Sequence, residues 1–138
     1  MSHITKRKSS MKNEETIKKA VARIKGASYE GLGSTRTYNN GSIRGHLVQL
    51  PGWKYKLAID PATGECVFDN YNGSWGKDEH LDALKQGYAV EAAKAKAEEE
   101  GHEFIEEMQE NGSIKCVIPL GGGGYEMGGD GGGDGYDV

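Results

Sequence analysis

Two stretches of this chain carry apolar residues at helical spacing, and the remainder is cut into short pieces by turn signals. In the first stretch Ile17, Ala20, Val21 and Ile24 recur at i, i+3, i+4 and i+7, which is one face of a helix. Asn13 stands before it as an N-cap, and Glu14 and Glu15 occupy the first turn, where the helix dipole favours negative charge. Gly26 is its natural stop. The second stretch is capped by Asp78 and runs to about Glu100, with Leu81, Leu84, Tyr88, Ala92 and Ala95 as its stripe and Gly101 as its stop. A helix with one apolar stripe needs a second layer to bury it, so both helices call for a sheet.

The segments around the helices supply that sheet. Residues 2–9 read as a short strand. A Gly/Ser-rich connection at residues 31–34 leads to Asn40-Gly41, which turns a hairpin between residues 34–38 and 42–50. After the Pro51-Gly52 turn, Trp53, Tyr55, Leu57 and Ile59 alternate with Lys54, Lys56, Ala58 and Asp60, the period-2 pattern of a strand with one buried face. Residues 60–64 turn again and residues 65–69 return. Asn111-Gly112 joins a last hairpin between residues 102–110 and 113–120. Phe104 and Met108 share a face of its first strand, and Ile114, Cys116 and Ile118 share a face of its second. The expected order is β-α-β-β-β-β-α-β-β, an α+β two-layer sandwich with two helices on a mostly antiparallel sheet.

Patterning stops at Gly121. Residues 121–138 hold ten of the 22 glycines, four acids and no Lys or Arg. Such a segment buries too little surface to offset its ordering entropy, so the expectation is one domain over residues 1–120 and a disordered acidic tail over 121–138. The net charge of -4 conceals a strong asymmetry. Through Lys56 twelve Lys and Arg face three Glu, a surplus of nine positive charges, and the remainder carries thirteen net negative charges. No run approaches the roughly 20 apolar residues that span a bilayer, and no apolar segment follows the basic start, so neither a membrane nor a secretory route is expected. The setting expected is cytoplasmic or plastid-stromal. Three Asn-Gly-Ser triplets, at Asn40, Asn72 and Asn111, then read as turns rather than glycosylation sites. Cys66 and Cys116 lie in apolar, strand-like runs; their number permits a disulfide, and their setting favours two buried thiols.

Met1-Ser2-His3, Asp69-Asn70-Tyr71-Asn72-Gly73, Leu84-Lys85-Gln86-Gly87-Tyr88-Ala89, Glu100-Gly101 and Gln109-Glu110-Asn111-Gly112-Ser113-Ile114 follow one another in an order that resembles the hypothetical chloroplast open-reading-frame thirty-five family. These are small proteins of plastids, cyanobacteria and other bacteria, and the similarity extends over roughly residues 1–119. The second half matches best. The family usually carries a Trp pair where Asn70-Tyr71 stand here, and it usually ends near the last strand. The resemblance implies the same element order and association with a AAA-type ATPase, and it brings no catalytic residue to carry over.

Catalytic and cofactor chemistry finds little support. Gly31-Leu32-Gly33-Ser34-Thr35-Arg36 starts like a phosphate loop, but Arg replaces the third glycine and a strand follows rather than a helix. The four histidines are dispersed, no G-x-S-x-G elbow occurs, and the glycine-aspartate tail lacks the register of calcium-binding repeats. No cofactor, metal or catalytic constellation is expected. Two binding surfaces are. Tyr71 and Trp75, in a Gly/Asn loop before the second helix, form with Gln86 and Tyr88 a candidate surface for a protein partner. Lys6, Arg7, Lys8, Lys18, Lys19, Arg23 and Lys25 form a candidate face for single-stranded nucleic acid, with Tyr29, Tyr38 and Trp53 to stack on bases and the acidic tail as competitor. The leading expectation is a non-enzymatic binding or adaptor protein; the alternatives are a nucleic-acid-binding protein and a structural subunit of a larger assembly.

Overall fold

The computed structural model describes residues 4–120 and the backbone of residues 123–127. The elements are β1 (Thr5–Arg7), α1 (Glu14–Ala22), β2 (Ser28–Arg36), β3 (Ser42–Gln49), β4 (Leu57–Ile59), β5 (Cys66–Phe68), α2 (Asp78–Glu99), β6 (Ile105–Met108), β7 (Ile114–Leu120) and β8 (Gly123–Met127). Five strands form an antiparallel sheet in the order β1-β5-β4-β3-β2, and three form a second in the order β6-β7-β8. The class is α+β, with two sheets where one was expected. None of the described helices is long and apolar enough to cross a membrane.

Helix α1 buries the face its spacing predicts, and α2 does so over Leu81, Leu84 and Tyr88. Asn13 caps α1, its Oδ1 accepting from the Thr16 N–H at 2.9 Å. Ile17, Ala20 and Val21 from α1 and Leu81, Leu84 and Tyr88 from α2 meet Val48, Leu57, Ile59, Cys66 and Phe68 on one face of the large sheet. Lys77, not Asp78, occupies the N-cap of α2. The Asp78 carboxylate instead accepts from Asn70 Nδ2 at 2.8 Å and pairs with Arg7 at 3.2 Å.

Three strand expectations need correction. Residues 31–34 are not a connection: they lie inside β2, where a bulge between Tyr29 and Leu32 shifts the register against β3. The long alternating strand from Trp53 shrinks to Leu57–Ile59, because Trp53 closes a turn onto the Leu50 carbonyl and the Lys54 N–H donates to Trp75 O. All three β4 residues are fully buried, so the sheet is covered on both faces there. The cover is the far half of the β2–β3 hairpin. Ile43 and Leu47 cluster with Ala58 and Val67, away from the helices, and the hairpin tip reaches β5, where the Tyr38 N–H donates to Asp69 Oδ2 at 3.1 Å. Gly45 permits the bend: its φ is +155°, and a Cβ there would collide with the Ile59 carbonyl.

The second sheet leans on a part of α2 outside the expected stripe. Val90 packs with Ile114, Cys116 and Phe104, and Ala93 and Ala97 are buried while Ala95 is exposed. Met108 does not share Phe104's burial; it is 71% exposed. Beyond β7, where a structureless tail was expected from Gly121, Gly123–Met127 pairs with β7 from Cys116↔Met127 to Leu120↔Gly123. Residues 121–122 and 128–138 of that tail lie outside the described residues.

Both cysteines are free and buried. Burial pushes the Cys66 thiol up to about 11, with the Ser9 hydroxyl, 3.5 Å from Sγ, acting weakly in the opposite direction. Cys116 moves the same way for the same reason. The folded protein therefore keeps protons that unfolded thiols release near their ordinary range. This contribution to stability is complete below about pH 9 and is lost as pH rises toward about 11. Ellman's reagent at pH 8 is expected to titrate neither thiol in the folded protein and both in guanidinium. Rapid reaction of a native thiol would contradict this burial.

Candidate functional site

Two short turns with related sequences, Tyr38-Asn39-Asn40-Gly41 and Tyr71-Asn72-Gly73, meet at one corner of the large sheet. In the second, the N–H groups of Gly73 and Trp75 both donate to Asn70 O, at 3.0 and 2.9 Å, and the Ser74 N–H donates to Tyr71 O at 3.0 Å. Closing the loop this tightly sets Tyr71 at φ +47° and Asn72 at φ +52°. Asparagine tolerates the left-handed region, whereas a bulky tyrosine is held there at a cost of about 1–3 kcal/mol. The loop is anchored from below: Asn70 Nδ2 donates to Gly76 O at 3.1 Å, and Trp53 Nε1 donates to Lys77 O at 3.2 Å. Gly76 lies so close to the Trp53 indole that a Cβ would come within 2.6 Å of Cγ. In the first turn Asn39 and Asn40 take φ +58° and +62°. These four are the non-glycine residues with positive φ among those described, and they all sit at this corner.

The rings gather around Trp75. Tyr38 stacks on it at 5.4 Å between centroids and 25° between planes. Tyr71 meets it edge-on at 4.7 Å and 82°, and Tyr55 does so at 5.6 Å and 71°. The Lys54 ammonium lies 4.5 Å from the Trp75 centroid and 5.6 Å from that of Tyr55, within cation–π range. Tyr71 is 42% and Tyr38 36% exposed. Beneath them Asp69 is buried, with Oδ2 on the Tyr38 N–H; its Oδ1 and the buried Thr37 hydroxyl have no hydrogen-bond partner among the described residues. Beside Trp75 an open depression of about 440 Å³ is lined by Pro51, Gly52, Gly73, Ser74, Lys77 and His80.

Of the four residues expected to form the partner surface, the structure brings together Tyr71 and Trp75. Tyr88 is a correction: it is 5% exposed, its ring is part of the core, and its hydroxyl accepts from the Asn13 N–H at 3.1 Å. Helical spacing puts it in the stripe of Leu81 and Leu84, which excludes it from the surface. Gln86 points elsewhere, donating to Gly112 O at 3.2 Å beside the β6–β7 connection. Sequence reading missed Lys54 and Tyr55, which it had placed in a strand. The signal for Tyr38 was present: its turn repeats the Tyr-Asn pattern of the loop it stacks on.

The expected nucleic-acid face does not assemble as one free cationic surface. Lys18 pairs with Glu14 at 3.2 Å and Glu15 at 3.4 Å, and its pKa is raised by hydrogen bonds to those two carboxylates and by their charge. Arg23 bridges Glu91 at 2.6 Å and Glu106 at 2.7 Å. Burial disfavours its charge, but the hydrogen bonds and charges of Glu106 and Glu91 outweigh this and raise its pKa. Arg7 is taken by Asp78. Lys6, Lys8, Lys19 and Lys25 remain exposed, the first two on or beside β1 and the others on or beyond α1. Tyr29 is partly buried, its oxygen 2.9 Å from Nδ1 of buried His46 and the Lys18 ammonium 5.7 Å from its ring centroid, and Trp53 is buried.

Among the described residues no three His, Cys, Asp or Glu side chains converge as metal ligands. The chain matches no family model, and comparison with curated proteins and with solved structures finds no match for it either.

Proposed function

We propose that this chain is a non-enzymatic binding protein, an adaptor that docks a partner protein on the platform formed by Tyr38, Tyr55, Tyr71 and Trp75. The observation that carries the reading is where the strain lies: Tyr71 is held at positive φ so that its ring stays at the surface against Trp75. Backbone strain persists where its surroundings over-determine it, and it gathers at ligand clamps. Exposed Tyr and Trp on rigid turns are also the residues on which interfaces concentrate their energy, because little entropy is lost when they are covered. The resemblance adds a AAA-type ATPase as the partner to look for first. A cytoplasmic or stromal setting belongs to the same reading and is supported by two cysteines that stay free thiols.

The test uses Tyr71→Asn, which removes the ring and relieves the backbone, together with Trp75→Ala. Proteins recovered on the full chain are expected to weaken by about 2 kcal/mol, on the order of thirtyfold in Kd, with either variant. Partners held equally well by both folded variants would refute the platform as the docking surface.

A further inference from the structure

Three cations stand around the platform. Lys54 lies over Trp75; Arg36, on β2, reaches the turn carrying Tyr38 and donates from Nη2 to Asn40 Oδ1 at 3.1 Å. Lys77 lines the depression on the other side of the Trp75 loop. None of the three is in an ion pair among the described residues, whereas Lys18 and Arg23 on or beside α1 are each held by two carboxylates. Of the carboxylates here, Asp78 is held by Arg7 and Asn70, and Asp69 is buried with its Oδ2 on the Tyr38 N–H. Around the exposed rings, the described residues thus leave three positive charges without an ion pair.

We infer that the segment the platform receives is an acidic peptide with an aromatic or aliphatic anchor. The anchor covers Tyr71 and Tyr38, and the carboxylates lie along Lys54 and Lys77 into the depression, whose volume of about 440 Å³ suits a few side chains. This rests on the platform reading above and names the chemistry of its partner. A peptide fits better than single-stranded nucleic acid for two reasons. Bases need successive open ring faces, but Trp75 is already stacked by Tyr38 and capped by the Lys54 ammonium. A phosphate backbone also needs a long cationic track, and the one expected along α1 is interrupted where Lys18 and Arg23 are each held by two carboxylates.

Selection of a random-peptide display library on the full chain tests this, followed by anisotropy of the labelled consensus peptide and of oligo-dT. The expected consensus combines Asp or Glu with an aromatic or Leu. Its affinity is expected to fall about tenfold with Lys54→Gln and with Lys77→Gln, and also with added salt. A consensus lost on Tyr71→Asn but lacking acids overturns the acidic partner and leaves the platform standing. Peptides indifferent to Tyr71→Asn and Trp75→Ala, or no enrichment at all, overturn both. Oligo-dT binding more tightly than the peptide, and lost with Lys54→Gln, overturns the peptide in favour of nucleic acid. Circular dichroism of each variant separates lost binding from lost fold.

Discussion

Gly45→Ala is expected to destabilise the protein by about 3 kcal/mol, on the order of 10 °C in Tm. The added methyl would overlap the carbonyl oxygen of Ile59 and lie 2.8 Å from its carbon, and that peptide belongs to a central strand paired on both sides. Backbone in such a place cannot step aside. The φ of +155° at Gly45 adds a conformation that alanine rarely adopts. Gly33 faces Gly45 across the ladder and serves as the control: a Cβ there meets only Leu47 Cδ1 at 3.6 Å, an ordinary contact. Gly33→Ala is therefore expected to stay within about 1 kcal/mol of the parent. Thermal unfolding followed by circular dichroism measures both. Because Gly45 bends the hairpin whose tip supplies Tyr38, the near-ultraviolet signal of the Tyr38–Trp75 stack should also change in Gly45→Ala. Equal melting of the two variants would mean that the bend needs no glycine.

That bend marks the limit of what local pattern reading can see. Ile17 to Ile24 and Leu81 to Tyr88 announce their helices because a 3.6-residue period survives whatever covers the face. Asn13 announces its cap, and the Asn-Gly pairs announce turns through the φ angles they tolerate. The period-2 pattern from Trp53 misled because it presumes one wet face, while Leu57, Ala58 and Ile59 are all dry. The hairpin that dries them comes from residues 42–49, and no window around β4 contains it. Likewise the Val90, Ala93 and Ala97 face of α2 is intelligible only once a second sheet lies against it. The site follows the same rule. Tyr71 and Trp75 were visible as aromatics in a loop, but Tyr38 joins them through the Asp69 contact, 31 residues away in sequence. Lys54 joins because its own N–H is tied to Trp75 O. For Tyr88 the helical stripe it shares with Leu81 and Leu84, and not its nearness in sequence to Trp75, decides its burial.

The charge pattern misled in a way that a single residue can test. Arg23, read as part of a free cationic face, is the clamp between α1, α2 and the second sheet. Its guanidinium takes Glu91 of α2 on Nε at 2.6 Å and Glu106 of β6 on Nη2 at 2.7 Å. The side chains involved are mostly covered, with 25% of Arg23, 11% of Glu91 and 30% of Glu106 exposed. Arg23→Ala leaves two carboxylates facing each other with no cation between them, and the expected loss is about 2–3 kcal/mol. Arg23→Lys restores the charge but not the fork, since one ammonium cannot satisfy two acceptors in the guanidinium geometry, and should recover less than half. Hydrogen exchange locates the effect. Amides of β6 and β7 should lose protection in Arg23→Ala while those of β3 and β4 keep theirs, because few other contacts join the small sheet to the helices. Unchanged protection in β6 and β7 would show that Val90, Ile114 and Cys116 hold the second sheet without the clamp, and would return Arg23 to the pool of cations available to a partner.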